Sequence, residues 1–341
     1  MSYARPLLAW PLAMRLLLLG TLAVVALLAA IRLGAVSLST TNVLDALLGR
    51  GDPTIITIVR ELRVPRALQA ALVGGALGIS GVAFQALLRN PLAEPYTLGV
   101  SSGAAAGAVL TVVTGWAARF VWSLPIAAFA GAALSMLLVF RIAYGVGTDR
   151  HLDTRVLLLA GVVVSAFLIA VVWLVLTFAQ SETVRSAIFW MMGSHAGASW
   201  RSVAILLACF VPTSIGLLTL ARPLNLLSIG EPTAAYLGTS VERTKVVAFG
   251  MATLLTATSV AVSGTIGFVG LIVPHTIRLL WGSDHRGLLP CAALGGAAFL
   301  TATDTFARTV AGANELPIGI VTALIGVPCF VWLLREPAVS R

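Results

Sequence analysis

Apolar runs of about 20 residues follow one another along almost the whole chain, and each is long enough to cross about 30 Å of hydrocarbon as a helix. Runs such as Val156–Phe178 do not alternate apolar with polar residues, as the strands of a closed barrel would. A bilayer core offers no water to satisfy the backbone, so helices are the only spanning structure left. Composition agrees: charged residues make up 10% of the sequence and apolar ones 59%, whereas a soluble domain carries about 25% charged residues. The sequence therefore predicts an all-α polytopic membrane protein.

Ten candidate spans can be read, at roughly 15–34, 65–87, 94–114, 121–143, 156–178, 201–221, 245–262, 265–281, 288–306 and 317–334. The run after Arg5 and Arg15 has no convincing small-residue cleavage site and reads as a retained first span rather than a signal peptide. An even number of spans puts both termini on one side. With the N-terminus inside, 13 of the 22 basic residues fall on inner loops, so the positive-inside rule favours cytoplasmic termini, although weakly. The weakness comes from Arg60, Arg63 and Arg66, which cluster at the outer end of the second span. Such a cluster asks for an acidic partner outside. Two segments stand apart from the short turns: an external loop at 36–64, and an internal one at 222–244. A third stretch, 180–200, is half apolar and reads as a short helix at the outer interface. Gly74 with Gly78, and Gly99 with Gly103 and Gly107, place small residues four apart, the spacing that lets helix backbones approach. A weak echo between 64–81 and 243–264 hints at two related halves of five spans.

Several chemistries are excluded. The net charge of +9 comes almost entirely from scattered arginines, with Lys245 the sole lysine, and no basic run forms a phosphate-tracking patch, so no nucleic-acid partner is expected. No GxxxxGK[ST] phosphate loop is present, so ATP hydrolysis by that motif is not expected in this chain. His151, His195, His275 and His285 are far apart, and Cys209, Cys291 and Cys329 form no CxxC pair, so no metal site is expected. His195 could in principle face a haem-like cargo, but a lone loop histidine is more often an ordinary interfacial residue. An ion-coupled secondary carrier remains the alternative. It would hold carboxylates inside its spans, and Glu94, Asp304 and Glu315 all read as falling near span ends.

The blocks RVPRALQAALVGGALGISGVAFQALLRNPLAEPYTLGVSSGA (63–104), GEPTAAYLG (230–238), GTIGFVGLIVPHTIR (264–278), ATDTFAR (302–308) and ELPIGIVTALIGVP (315–328) resemble, in the same order, those of the FecCD-type ABC importer permeases. That family serves ferric siderophores, haem and vitamin B12. The resemblance implies a single permease domain over 1–341 with the type II ABC importer fold, sitting in the bacterial inner membrane. It also implies a second permease subunit in a homodimer, two cytoplasmic ATP-binding subunits that carry the ATP, and an external substrate-binding protein. No cofactor is implied in the chain itself. Arg63, Arg66 and Arg308 match arginines that meet carboxylates of the binding protein; the alternative is snorkelling to lipid phosphates. Gly230, Glu231, Ala234, Ala235, Leu237 and Gly238 match the segment gripped by the ATPase, with Pro232 as a helix start. Asp153 and Thr154, and secondarily Asn90 and Leu92, match the inner gate of the path. All four equally suit helix or turn caps.

Overall fold

The computed structural model describes residues 8, 10–34, 36–145, 154–310 and 315–335. Among them no strand occurs. The ten expected spans are ten apolar helices: α1 (Leu12–Arg32), α2 (Val64–Leu87), α3 (Val100–Val113), α4 (Ser123–Gly145), α5 (Thr154–Thr177), α6 (Trp200–Thr219), α7 (Val241–Ser263), α8 (Val269–Trp281), α9 (His285–Thr309) and α10 (Ile318–Arg335). Seven are long and apolar enough to cross a membrane unaided, and α3, α8 and α10 are shorter apolar helices. The expected helix near 180–200 is Ser181–Met191.

Chain direction alternates, so the bundle has two ends. One gathers the start of α1 against the α8–α9 turn, where the Leu8 N–H donates to Leu280 O at 2.9 Å and Arg15 to Trp281 O at 3.1 Å. The other gathers the α1–α2 link, the end of α9 and the start of α10, whose Ile318 N–H donates to Gly193 O at 3.2 Å.

Helix neighbours repeat between the halves. Where α2 packs on α9, α7 packs on α4; α3–α4 is matched by α8–α9, α3–α5 by α8–α10, and α2–α8 by α7–α3. Because α2 and α7 run in opposite directions, α2–α5 and α7–α10 form an inverted repeat. This gives the echo between 64–81 and 243–264 a structural basis.

The helix pairs close up on small residues. A side-chain carbon on Gly74 would sit 2.2 Å from Gly296 O, and one on Gly296 would sit 2.1 Å from Gly74 O. The two backbones are thus in direct contact, which neither helix could reach with a β-carbon there. Gly74→Val should force α2 from α9 and sharply lower the yield of monodisperse protein and its thermal unfolding midpoint. Gly250→Ala on α7 is the control. Nothing lies within 4 Å of that site, and alanine favours helix over glycine by about 1 kcal/mol. Equal behaviour of the two variants would remove the close-packing account.

Three expectations change. The 36–64 stretch is largely helical rather than a loop. Thr40–Leu47 is capped by the Ser39 hydroxyl, Pro53–Thr57 by the Asp52 carboxylate, and Ile58–Arg63 forms a π-helical turn running straight into α2. The 222–244 stretch likewise contains the helices Ala221–Ile229 and Glu231–Tyr236 before α7 begins. Finally, Glu94, expected near a span end, lies in an irregular segment that precedes α3. Helices α3 and α8 have 14 and 13 residues, about 20 Å of rise, too short for the hydrocarbon thickness. The irregular segments 88–99 and 264–268 make up the difference inside the bundle, and they meet there: the Phe268 N–H donates to the Glu94 carboxylate, and the Ile266 N–H to the Tyr96 hydroxyl at 3.1 Å. Non-helical backbone at membrane depth is stable only where protein satisfies it in this way.

Candidate functional site

At the α1–α2 end, the clustered arginines mostly have partners within the chain. Arg63 is buried. Its guanidinium donates to Ile31 O at 3.0 Å, Arg32 O at 2.6 Å and Val36 O. Arg308, also buried, donates to Ala30 O. The last turn of α1 leaves carbonyls without helical donors and carries the negative end of the helix dipole, so two cations seated there answer both needs. Arg60 similarly donates to Leu47 O at the end of helix 40–47. Arg63 and Arg308 are thus turned inward onto the end of α1 in this structure, not outward.

Arg66 differs. It forks onto Asp304, with Nε to Oδ2 and Nη2 to Oδ1 both at 3.0 Å, and its Nη1 meets Glu315 at 2.9 Å. Asp304 is buried, whereas Glu315 is 37% exposed. Arg66 is thus the one matched arginine whose partners include an exposed carboxylate that another carboxylate could displace. His195 lies beneath this cluster, fully buried, with Nδ1 accepting from the Gln69 amide at 3.1 Å.

At the opposite end, Gly230 opens the helix Glu231–Tyr236, and Gly238 closes it in the left-handed region at φ 81°. That conformation lets the Gly238 and Thr239 N–H groups return to Ala235 O and Ala234 O, both at 2.9 Å, which finishes the helix. Of the two alanines expected to be gripped, Ala235 is exposed, but Ala234 is sealed against the core. Tyr236 is 92% exposed and Leu237 59%, a pair of apolar side chains that a polar end would not otherwise leave uncovered. Glu231 pairs with buried Lys245 of α7 at 2.6 Å, a tie that places the sole lysine.

Asn225, hidden within the supposed loop, is the residue sequence reasoning missed. Its amide oxygen accepts from the His285 N–H at 2.9 Å, and its amide nitrogen donates to Asp284 at 2.7 Å. Burial alone would raise the Asp284 pKa, but the Asn225 bond and the Arg286 N–H hold it below the usual carboxylate value. Through these contacts the 221–238 segment grips two long helices at once, α9 by Asn225 and α7 by Glu231. Helix α9 then runs the length of the bundle to Asp304 and Arg308.

The gate residues are only partly placed. Asp153 lies outside the described residues, and Thr154 is the first residue of α5. Asn90 turns its side-chain oxygen onto the Leu92 N–H at 2.9 Å, the capping role open to it from the sequence. The 88–99 segment that carries Asn90 and Leu92 packs on α5 through Pro95–Leu98.

Between Met191–Met192, the 265–268 crossover and α10 is an open cavity of about 630 Å³, walled by Thr265, Phe268, Ile320, Ala323 and Leu324. The outward faces of α10 beside it (Leu324, Val327) and of α5 (Val162, Phe167, Trp173) are apolar and uncovered.

These features define a polytopic permease built on the type II ABC importer fold. The chain belongs to the FecCD transport family, whose model matches residues 22–336. It is 43% identical over 289 residues to the ABC transporter permease protein YvrB of Bacillus subtilis, covering 84% of this chain and 81% of that one. It is 46% identical over 283 residues to the cobalamin import system permease protein BtuC of Halobacterium salinarum, covering 83% and 74%. With the vitamin B12 import system permease protein BtuC of Escherichia coli O157:H7 it shares 42% over 278 residues, covering 82% and 83%. Among solved structures, an inward-facing metal-chelate-type ABC transporter superposes with a TM-score of 0.84 at 34% identity, covering 95% of this chain and 99% of the other.

Proposed function

We propose that this chain is the membrane-spanning subunit of an ATP-driven importer that moves a metal chelate, cobalamin first among them, across the bacterial inner membrane by alternating access. The observation that carries the cargo reading is kinship over four-fifths of the chain with two permeases named for cobalamin and vitamin B12 import. An apolar cavity wall with little hydrogen-bonding chemistry suits a large, rigid cargo that must pass without being held.

The uncovered faces of α5 and α10 support a homodimer whose second copy closes the path. The exposed Tyr236–Leu237 tip supports docking of a separate ATP-binding subunit, one per permease, on the cytoplasmic side with both termini. Arg66 and its displaceable Glu315 support docking of an external substrate-binding protein. ATP closure would then push the 221–238 segment, and Asn225 and Glu231 would carry the push into α9 and α7.

The test is uptake by proteoliposomes holding the complete complex, with radiolabelled cyanocobalamin, a ferric siderophore and haem offered in parallel. Cyanocobalamin should accumulate with ATP, without any ion gradient, and a protonophore should not reduce it. Accumulation of the siderophore or haem alone would move the cargo to an iron chelate. Uptake abolished by the protonophore at constant ATP would overturn the ATP-driven reading in favour of an ion-coupled carrier.

A further inference from the structure

The meeting of the two irregular segments inside the bundle is held by more side chains than a packing contact needs. The Glu94 carboxylate accepts the Phe268 N–H, and the Tyr96 hydroxyl accepts the Ile266 N–H. Buried Gln85 donates to Ala93 O at 3.3 Å and Gly270 O at 3.1 Å, while Arg278 of α8 donates to the Gln85 oxygen at 2.8 Å. The 93–96 stretch is therefore tied to the α7–α8 crossover at Ile266 and Phe268 and, through Gln85, to Gly270 at the start of α8.

That crossover is not relaxed backbone. Phe268 sits at φ 68°, in the left-handed region, with a bulky side chain. Such a residue persists there only where its surroundings hold it. Its ring packs against α10, where a side-chain carbon on Gly326 would lie 2.5 Å from it. The opposite flank is tied as well, because the Thr265 hydroxyl donates to Met191 O. Thr265, Gly267 and Phe268 all line the 630 Å³ cavity. The crossover is also the direct continuation of α7, the helix that Lys245 ties to Glu231 at the far end.

We infer that Glu94, seconded by Tyr96, is a positioning residue of transport: it fixes the crossover that joins α7 to the cavity wall, so that a displacement of α7 reshapes the cavity. This rests on the importer reading above. The carboxylate acts on two links. It accepts the first free N–H at the start of α8, where helix dipole and orphan donors favour an anion, and it pins the left-handed Phe268. Without it, movement of α7 would be absorbed by rotation within 264–268 and would not reach the wall.

The test uses the complete complex in proteoliposomes, with the three native cysteines replaced and Ala323→Cys placed on the cavity wall. The readout is the ratio of N-ethylmaleimide labelling rates with and without ATP, measured beside ATP hydrolysis. In the otherwise native chain ATP should change the ratio severalfold. Glu94→Ala should bring the ratio close to one while ATP hydrolysis continues. Glu94→Gln should restore it, because the amide oxygen still accepts the Phe268 N–H. A native ratio in Glu94→Ala, or a Glu94→Gln variant as defective as the alanine, would overturn the inference. If Glu94→Ala does not assemble, Tyr96→Phe decides, since it removes only the hydroxyl. An intermediate ratio supports the role and an unchanged one overturns it. A native complex with no ATP response would sink the importer reading itself, and this inference with it.

Discussion

Leu237→Asp should abolish transport while leaving the protein folded in the membrane. Leu237 is exposed at the tip of the 230–238 turn and makes no contribution to the core, so the fold has no stake in it. A partner that covers it would lose the burial of one leucine, about 1.5–3 kcal/mol, and would have to desolvate a carboxylate besides. Binding of the ATP-binding subunit should weaken by tenfold to a hundredfold or more. Glu231→Arg should reach the same end differently. It sets a second cation beside buried Lys245 where an ion pair of 2.6 Å stood, and so loosens the segment from α7. Copurification with the ATP-binding subunit should fall for Leu237→Asp but survive in part for Glu231→Arg, with ATP hydrolysis no longer linked to uptake. Unchanged uptake in both variants would remove the coupling assignment.

The contrast between these two residues shows what the sequence could reveal. Leu237 reads as exposed once GEPTAAYLG is recognised, because an apolar residue beside Gly238 in a polar stretch has little else to do. The Glu231–Lys245 tie spans one short turn and a helix start, and nothing in spacing alone selects it from other pairings. Asn225 was invisible for the same reason, its partners lying 59 and 60 residues away. Long helices were legible because an uninterrupted apolar run has few alternatives in lipid. The short ones were misjudged for the converse reason. Leu98, Ile266 and Phe268 are apolar and continue the runs, so hydropathy carried the expected spans 94–114 and 265–281 straight through their non-helical entries. Only Gly99 in the left-handed region, and the polar contacts of Glu94 and Tyr96, delay the start of the helix to Val100. Those contacts depend on a segment more than 160 residues further along the chain.

The outer arginines separate two roles that the sequence had merged, and their variants should part accordingly. Arg63→Gln removes the donor to two carbonyls at the end of α1 and to Val36 O in the link beyond it. A buried acceptor left without its donor costs about 1–3 kcal/mol, so this variant should unfold several degrees earlier. Any docking defect it shows should be insensitive to salt, because no charge is withdrawn from an accessible surface. Arg66→Gln strands buried Asp304, whose remaining cation, Arg308, stands 3.8 Å away. Breaking a buried pair from one side costs about 3–5 kcal/mol, and adding Asp304→Asn should recover much of that. Docking of the external binding protein should not recover with it, since its carboxylates would still lack the Arg66 Nη1 donor. Glu315→Gln gives the opposite sign. It removes the negative charge from the Arg66–Glu315 contact at the surface, so an incoming carboxylate displaces only a neutral acceptor and association should quicken at low salt, with the gain shrinking as ionic strength rises. Association rates of the binding protein at two salt concentrations, read beside thermal unfolding midpoints, distinguish these outcomes. If the double variant docks as fast as the unaltered chain in low salt, Arg66 serves the fold alone and the docking surface lies elsewhere.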